Sequence, residues 1–144
     1  MAVYRNVIVA IDGSESSERA LEKAIDVAKL NKATLHIVSI IDTRSWANLE
    51  AHNEGKLQKD SEVFSNSLIE SYNEAELAGI EEINVIVESG SPRTMITQEI
   101  SRRVNADLII CGASGVSASE RIFLGSVSEN IVRTAECDVL VVRK

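Results

Sequence analysis

Several glycines near the C-terminus are spaced in a way that could bind a phosphate. Gly112 and Gly115 follow an apolar run, and Gly125-Ser126 precedes an amphipathic stretch that begins with Val127. The order is therefore strand, loop and helix. The first turn of a helix presents unpaired N–H groups and the positive end of the helix dipole, and glycine lets an anion approach the backbone closely. The pattern predicts that this loop and the start of this helix hold a phosphate.

Two residues near the pattern also admit other roles. Ser126 and Glu129 have the spacing of a capping box, which would occupy the N–H groups that a phosphate needs. Arg121 is the only cation between Gly115 and Gly125, and it could contact a phosphate or lie in solvent. No lysine stands in this loop, so the pattern is not the P-loop of strong NTPases.

Residues suited to catalysis do not accompany the glycines. The sequence offers no Ser-His-Asp set, no Cys-His pair and no paired carboxylates near the loop. His36 and His52 lack the spacing of metal ligands, and no metal-binding residue is predicted. We expect a protein that holds a nucleotide but has no evident set of groups for cleaving it.

The composition and charge of the chain limit the kinds of partner that it could bind. The chain has 144 residues and a formal net charge of −7 without a Lys/Arg cluster, which argues against nucleic acid or an anionic membrane as a partner. A bound polyphosphate would then depend on backbone dipoles and a metal ion. There is no apolar stretch of about 20 residues and no signal-peptide pattern, so we expect a cytoplasmic protein with a single domain over residues 1–144.

The apolar pattern predicts an α/β fold. Helical patterns separate five short runs rich in Val, Ile and Leu, which are Asn6–Ile11, Thr34–Ile41, Ile83–Val87, Leu108–Cys111 and Val139–Val142. Near-continuous apolar runs are typical of parallel strands buried on both faces. The alternation indicates a five-stranded open parallel sheet with right-handed crossovers and helices on both faces.

Four helices are expected between these strands. Their apolar positions are Leu21, Ala24, Ile25 and Ala28 in the first, Leu57, Phe64, Leu68 and Tyr72 in the second, Ile96, Ile100 and Val104 in the third, and Val127, Ile131, Val132 and Ala135 in the fourth. Ser91-Pro92 is expected to begin the third helix. The segment Asp42–Gly55, which contains Trp46, reads as a mobile loop or lid, or as an ordinary surface loop.

Asp12 follows the first predicted strand directly. If the strand order is 3-2-1-4-5, the ends of the first and fourth strands flank the point where ligands bind in open α/β sheets. Asp12 would then face the glycine loop, where it could bond a ribose hydroxyl or help orient a metal. It could also be a turn residue before the first helix, with Ser14 or Ser16 as the N-cap.

These features together resemble the universal stress proteins of the single-domain, ATP-binding type, over essentially the whole chain. The resemblance rests on the opening Val7–Ser14, on Ser91-Pro92, on the close Cys137–Arg143, and above all on Gly112-x-x-Gly115-x9-Gly125-Ser126. It implies a Rossmann-like fold of the adenine nucleotide alpha hydrolase type, with five parallel strands in the order 3-2-1-4-5.

The resemblance also implies a ligand and residues that bind it. Asp12 should lie at the adenosine end of an ATP site, Ile40 should contact the adenine through its backbone, and Gly112 should sit beside the ribose. Mg²⁺ should bridge phosphates that are cradled by Gly115, Gly125, Ser126 and Val127. Ser114 and Val116 depart from the family, where histidine and a basic residue are frequent, and both changes remove possible phosphate contacts.

The family further implies a homodimer, often formed by pairing of the last strand, here Val139–Val142. The resulting expectation is an ATP-binding regulator of a stress response whose nucleotide state is read by an unknown protein partner. Two alternatives stay open, which are a slow ATPase or autokinase and a dimeric adaptor with a vestigial nucleotide site.

Overall fold

A computed structural model describes residues 3–42, 66, 68–113 and 125–143. Strands and helices alternate along the chain as β1 Asn6–Ala10, α1 Glu15–Asn31, β2 Thr34–Asp42, α2 68–77, β3 Ile83–Gly90, α3, β4 Leu108–Gly112, α4 Ser126–Thr134 and β5 Asp138–Val142. Helix α3 has three consecutive parts, namely Pro92–Thr94, a π-helical segment Met95–Ile100, and Ser101–Arg103.

The strands form one five-stranded sheet in the order β3-β2-β1-β4-β5, and every neighbouring pair is parallel. The predicted strand order is confirmed. Strand β4 is buried along its whole length, as expected for a strand covered on both faces. Edge strand β3 differs, because Val85 and Val87 are 42% and 44% exposed.

Helices cover both faces of the sheet, as predicted. On the first face, residues such as Val7 and Val9 pack with α1 and α2. On the second face, Ile8 and Ile109 pack with α3 and α4. Successive strand residues point to opposite faces, so the short apolar runs supply both cores.

The helix faces agree with the sequence in part. All four apolar positions predicted for α1 are buried. In α2 the buried positions after Leu68 are Ser71 and Ala75, whereas Tyr72 is 37% exposed. These small residues lie three and seven positions after Leu68, on one face of a helix, where they allow close packing on the sheet.

The third and fourth helices also depart from the expected pattern. In α3 the Ser101 N–H donates to the Ile96 carbonyl, which is the i to i−5 bond of a π-helix. Ile96 and Ile100 are nevertheless buried. Of the positions predicted for α4, Val132 is 49% exposed and Ile131 is buried, while Val127 and Ala135 are partly buried against the same core.

Two remaining features of the described residues are the state of the cysteines and the length of the helices. Cys111 is buried, Cys137 is half-buried, and both are free thiols. Within the described ranges, every helix is too short or too polar to cross a bilayer.

Candidate functional site

Those predicted binding residues that the structure describes lie at one edge of the sheet, at the carboxyl ends of the strands. β1 and β4 are neighbours, with Val9 opposite Ile110, so Asp12 and Gly112 lie at adjacent strand ends. Helices α1, α3 and α4 all begin at this edge, after Ser14, Ser91 and Gly125 respectively. Three helix N-termini therefore point their positive dipole ends towards the carboxyl edge.

Asp12 closes a turn at the start of α1. Its Oδ1 accepts hydrogen bonds from the Ser14 N–H at 2.9 Å and from the Ser14 hydroxyl. The Ser14 Oγ in turn accepts from the Ser17 N–H at 3.1 Å, which makes Ser14, and not Ser16, the N-cap. The turn role of Asp12 is thus present. Because these bonds use one oxygen of an exposed carboxylate, a ligand role is compatible with them.

Ile40 lies near the end of β2, beside Asp12. The register places Ala10 opposite Val38, so Ile40 is level with Asp12 where β1 has ended. The preceding residue, Ser39, is 1% exposed, and its hydroxyl donates to the Ile11 carbonyl at 2.7 Å. A side chain of β2 thus fixes the backbone immediately before Asp12.

Gly112 is the last residue of β4, and its lack of a side chain has a packing cause. A Cβ atom there would stand 2.7 Å from the carbonyl carbon and oxygen of Ser16 in the first turn of α1. Such a distance lies well inside van der Waals contact, so only glycine allows α1 to begin this close to β4. The sequence pattern suggested a ligand contact at Gly112, whereas the structure supplies a reason that needs no ligand.

The two glycine segments meet at the start of α4. The Gly125 N–H donates to the Ala113 carbonyl at 2.7 Å, and the Ala113 N–H donates to the Val142 carbonyl at 3.0 Å. The first bond joins the end of β4 to the beginning of α4, and the second joins the end of β4 to β5, so Ala113 and Gly125 lie side by side.

The capping box expected from Ser126 and Glu129 is not formed. The N-cap is Gly125, with φ −62° and ψ 158°, and Ser126 is the first helical residue. The Glu129 carboxylate bonds Arg133 instead, at 2.7 Å. Since glycine has no side chain, the N-cap residue of α4 cannot occupy the N–H groups of the first turn.

The remaining predicted residues are placed as follows. Ser126 is exposed and Val127 is half-buried, with Val127 packed against the core of the second face. Gly115 and Arg121 lie outside the described residues. Asp42 is the last residue of β2, and residues 43–55, which include Trp46, also lie outside the described ranges.

Ser128 is a site residue that the sequence analysis did not single out. Its side chain is 7% exposed, and its hydroxyl donates to the Gly112 carbonyl at 2.5 Å. The Cys111 thiol is in hydrogen-bond contact with it, and burial raises the pKa of this thiol to about 11. A polar residue three positions before Ile131, on the core-facing side of α4, was the signal that could have revealed it.

Among the described residues, His, Cys, Asp and Glu side chains form no group of three that could hold a metal ion.

Comparison with known proteins supports the fold and identifies the family. The model of the universal stress protein family matches residues 3–143. A putative universal stress protein of Staphylococcus haemolyticus is 45% identical over 144 residues, which are 99% of this chain and 87% of that protein. The universal stress protein UspA of Lactobacillus plantarum superimposes with a TM-score of 0.84 at 22% identity, covering 99% and 100% of the two chains.

A further solved relative carries a ligand. It is a universal stress protein in complex with cAMP, with a TM-score of 0.70 and 30% identity, and the match covers 98% of each chain. The fold, the family match across almost the whole chain and the identity to curated relatives lead to one conclusion. This chain belongs to the universal stress protein family.

Proposed function

We propose that this protein is a nucleotide-dependent regulator that binds ATP with Mg²⁺ at the carboxyl edge of its sheet. One observation carries the proposal, which is the 2.7 Å bond from the Gly125 N–H to the Ala113 carbonyl. That bond holds a helix N-terminus with a glycine N-cap against the end of β4, next to the strand end that bears Asp12.

The phosphates would lie at the N-terminus of α4. The helix has nine residues and starts with Ser126 and Val127, whose backbone N–H groups are the donors expected to bind an anion. Gly115 belongs to this half of the site by its place in the glycine pattern. The acidic residue of the first turn, Glu129, is neutralised by Arg133 at 2.7 Å, so its repulsion of a phosphate is reduced.

The nucleoside would lie between the ends of β1, β2 and β4. We assign the adenine contact to the backbone of Ile40 and the ribose contacts to Asp12 and Gly112. Support comes from the register that sets Ile40 level with Asp12 and from the structural relative that was solved with cAMP. ATP and cAMP carry the same base, so the proposed adenine contact suits either ligand.

Mg²⁺ fits the donor chemistry of this edge. The chain carries a formal charge of −7, and a polyphosphate would add to that charge unless a cation accompanied it. Asp12 is the site carboxylate that could orient the ion or one of its waters. The metal would supply charge neutralisation of the phosphates, while the protein's own residues bind and orient the nucleotide.

We further propose that the nucleotide acts as a ligand in a cytoplasmic homodimer, which a partner protein reads. Strand β5 is an edge of the sheet, and Val139, Leu140 and Val141 are only half-buried in it. Exposed strand edges are commonly covered by pairing with a second chain. For ATP to regulate the partner, it must bind two states of the protein with different affinities.

Calorimetric titration with Mg-ATP, ADP, cAMP and GTP tests the proposal. We expect saturable binding of the adenine nucleotides, weaker binding of GTP, and no turnover above the uncatalysed rate. Release of phosphate during the titration would favour the ATPase alternative. Absence of binding at millimolar nucleotide would refute the proposal and leave the adaptor with a vestigial site.

A further inference from the structure

Two buried serine hydroxyls bind the backbone at the carboxyl edge of the sheet. The hydroxyl of Ser39 donates to the carbonyl of Ile11 at 2.7 Å. The hydroxyl of Ser128 donates to the carbonyl of Gly112 at 2.5 Å. Each acceptor is at or just beyond the end of a strand, where the regular ladder of backbone hydrogen bonds stops.

Ser39 lies within the nucleoside half of the proposed nucleotide site, whereas Ser128 joins the phosphate half to Gly112, the proposed ribose contact. Ile11 immediately precedes Asp12, and Ser39 immediately precedes Ile40, so the Ser39 bond ties together the two nucleoside-contacting segments. Ser128 lies in the first turn of α4, and its bond ties this turn to the end of β4. Neither hydroxyl faces solvent, since Ser39 is 1% and Ser128 is 7% exposed, so neither is itself a ligand contact.

The anchoring of α4 depends strongly on Ser128. Of the nine residues of this helix, only Ser128 and Ile131 are buried. Ile131 lies almost one turn further along, away from the N-terminus. Ser128 is therefore the buried contact nearest to the N–H groups proposed to bind phosphate, and a shift of about 1 Å in such groups is enough to weaken a binding site markedly.

We propose that Ser39 and Ser128 are positioning residues that separately align the nucleoside half and the phosphate half of the site. This inference rests on the proposed function. It predicts that the two hydroxyls affect ligands differently: Ser39 acts equally on any ligand that contains adenosine, whereas Ser128 acts more strongly on ligands that carry phosphates.

The test compares the binding of adenosine and of Mg-ATP to three alanine variants. Ser128→Ala should weaken Mg-ATP binding about five- to tenfold, the range of one net hydrogen bond, and should weaken adenosine binding by a clearly smaller factor. Ser39→Ala should weaken both ligands by a similar factor. Equal loss of both ligands in Ser128→Ala, or an unchanged affinity for Mg-ATP, would overturn the inference.

Ser101→Ala is the matched control. Ser101 is a buried serine, 6% exposed, that also hydrogen-bonds a cysteine, Cys137, but it lies at the end of α3, far from the carboxyl edge. All three variants should lower the melting temperature by about 2–6 °C, as expected for one lost hydrogen bond. Only the two carboxyl-edge variants should change ligand affinity, which separates positioning from general stability.

Amide hydrogen exchange without ligand distinguishes failure of this inference from failure of the proposed function. If the unaltered protein binds neither ligand, the proposed function fails. The positioning role then survives only if Ser128→Ala speeds exchange at the first turn of α4 and Ser39→Ala speeds it around Asp12. Unchanged exchange in both segments would refute it as well.

Discussion

Replacing Gly125 with aspartate should separate the stability of the fold from its binding of nucleotide. Gly125 is the N-cap of α4, with φ −62° and ψ 158°, a conformation that any L-residue adopts easily. Aspartate is among the best N-cap residues, because its carboxylate accepts hydrogen bonds from N–H groups of the first turn. We therefore expect Gly125→Asp to fold and to be stabilised by about 0.5 kcal/mol, which is the sum of a small capping gain and the dipole interaction.

The same carboxylate should abolish phosphate binding. It takes the N–H groups proposed for the phosphates and adds a negative charge close to them. At a separation of about 4 Å and an effective dielectric constant of about 20, two unit charges repel by about 4 kcal/mol. Allowing for screening, a loss of about 2–4 kcal/mol corresponds to a fall in affinity of about 30- to 1,000-fold.

Thermal unfolding with and without Mg-ATP measures both effects at once. At ligand concentrations about 100 times the Kd, binding stabilises the native state by about 2.7 kcal/mol, which is a rise of several degrees in Tm. The variant should melt slightly above the unaltered protein without ligand and should gain at most about 0.9 kcal/mol from Mg-ATP at the same concentration.

Gly125→Ser is the matched control, because serine caps the helix without adding charge and should reduce the shift only in part. A full ligand-induced shift in Gly125→Asp would refute the assignment of the phosphates to α4. A variant that unfolds would contradict the account of the N-cap.

Three further outcomes are expected. Gly112→Ala should destabilise the fold by about 1–3 kcal/mol in denaturant titrations, because its Cβ would meet the Ser16 backbone at 2.7 Å; unchanged stability would contradict that contact. Burial lowers the pKa of His36, so the unfolded chain binds the proton more readily, and the stability of the fold should decrease as the pH drops below about 6.5. His36→Gln should remove this pH dependence. A wild-type stability that does not change with pH in this range would contradict the lowered pKa. Val141→Glu on edge strand β5 should convert a dimer into monomers in sedimentation experiments, and a variant that stays dimeric would move the interface elsewhere.

The expected slope for His36 follows from its hydrogen bonds. Its Nε2 lies 3.2 Å from the Asn6 Oδ1, and its Nδ1 lies 3.2 Å from the Asn84 Nδ2. An amide oxygen only accepts and an amide nitrogen only donates, so the ring fits these partners as the neutral imidazole with its proton on Nε2. Protonation of Nδ1 would set two donors against each other inside the sheet.

The sequence was sufficient for the sheet because strand order and burial follow from local patterns and general rules. Alternating apolar runs and helical patterns predict a parallel sheet, and the N-cap at Ser14 and the proline at the start of α3 follow from local backbone preferences. The predicted apolar faces of the helices were wrong in part, where packing against the sheet determined which residues are buried. Tyr72 fits an apolar face in sequence, yet the small side chain of Ser71 is the one that packs on the sheet.

Details of the candidate site were harder to predict from the sequence, because they too depend on tertiary packing. The capping box of Ser126 was plausible in sequence, but the bond from Gly125 to Ala113 starts the helix one residue earlier. The hydroxyl bonds of Ser39 and Ser128 join residues 28 and 16 positions apart, and only the folded sheet shows them as neighbours. Gly115 and the residues that would complete the loop keep the status of predictions.

Backbone amide NMR of the isotope-labelled protein, titrated with Mg-ATP, tests the central claim most directly. The account predicts that the largest shifts occur at Asp12, Ile40 and Gly125–Val127, all at the carboxyl edge. The chemical shifts of amides at the opposite edge, such as those of Thr34 and Asn105, should not change. Shifts concentrated at that opposite edge, or none at saturating nucleotide, would contradict a nucleotide site at the start of α4.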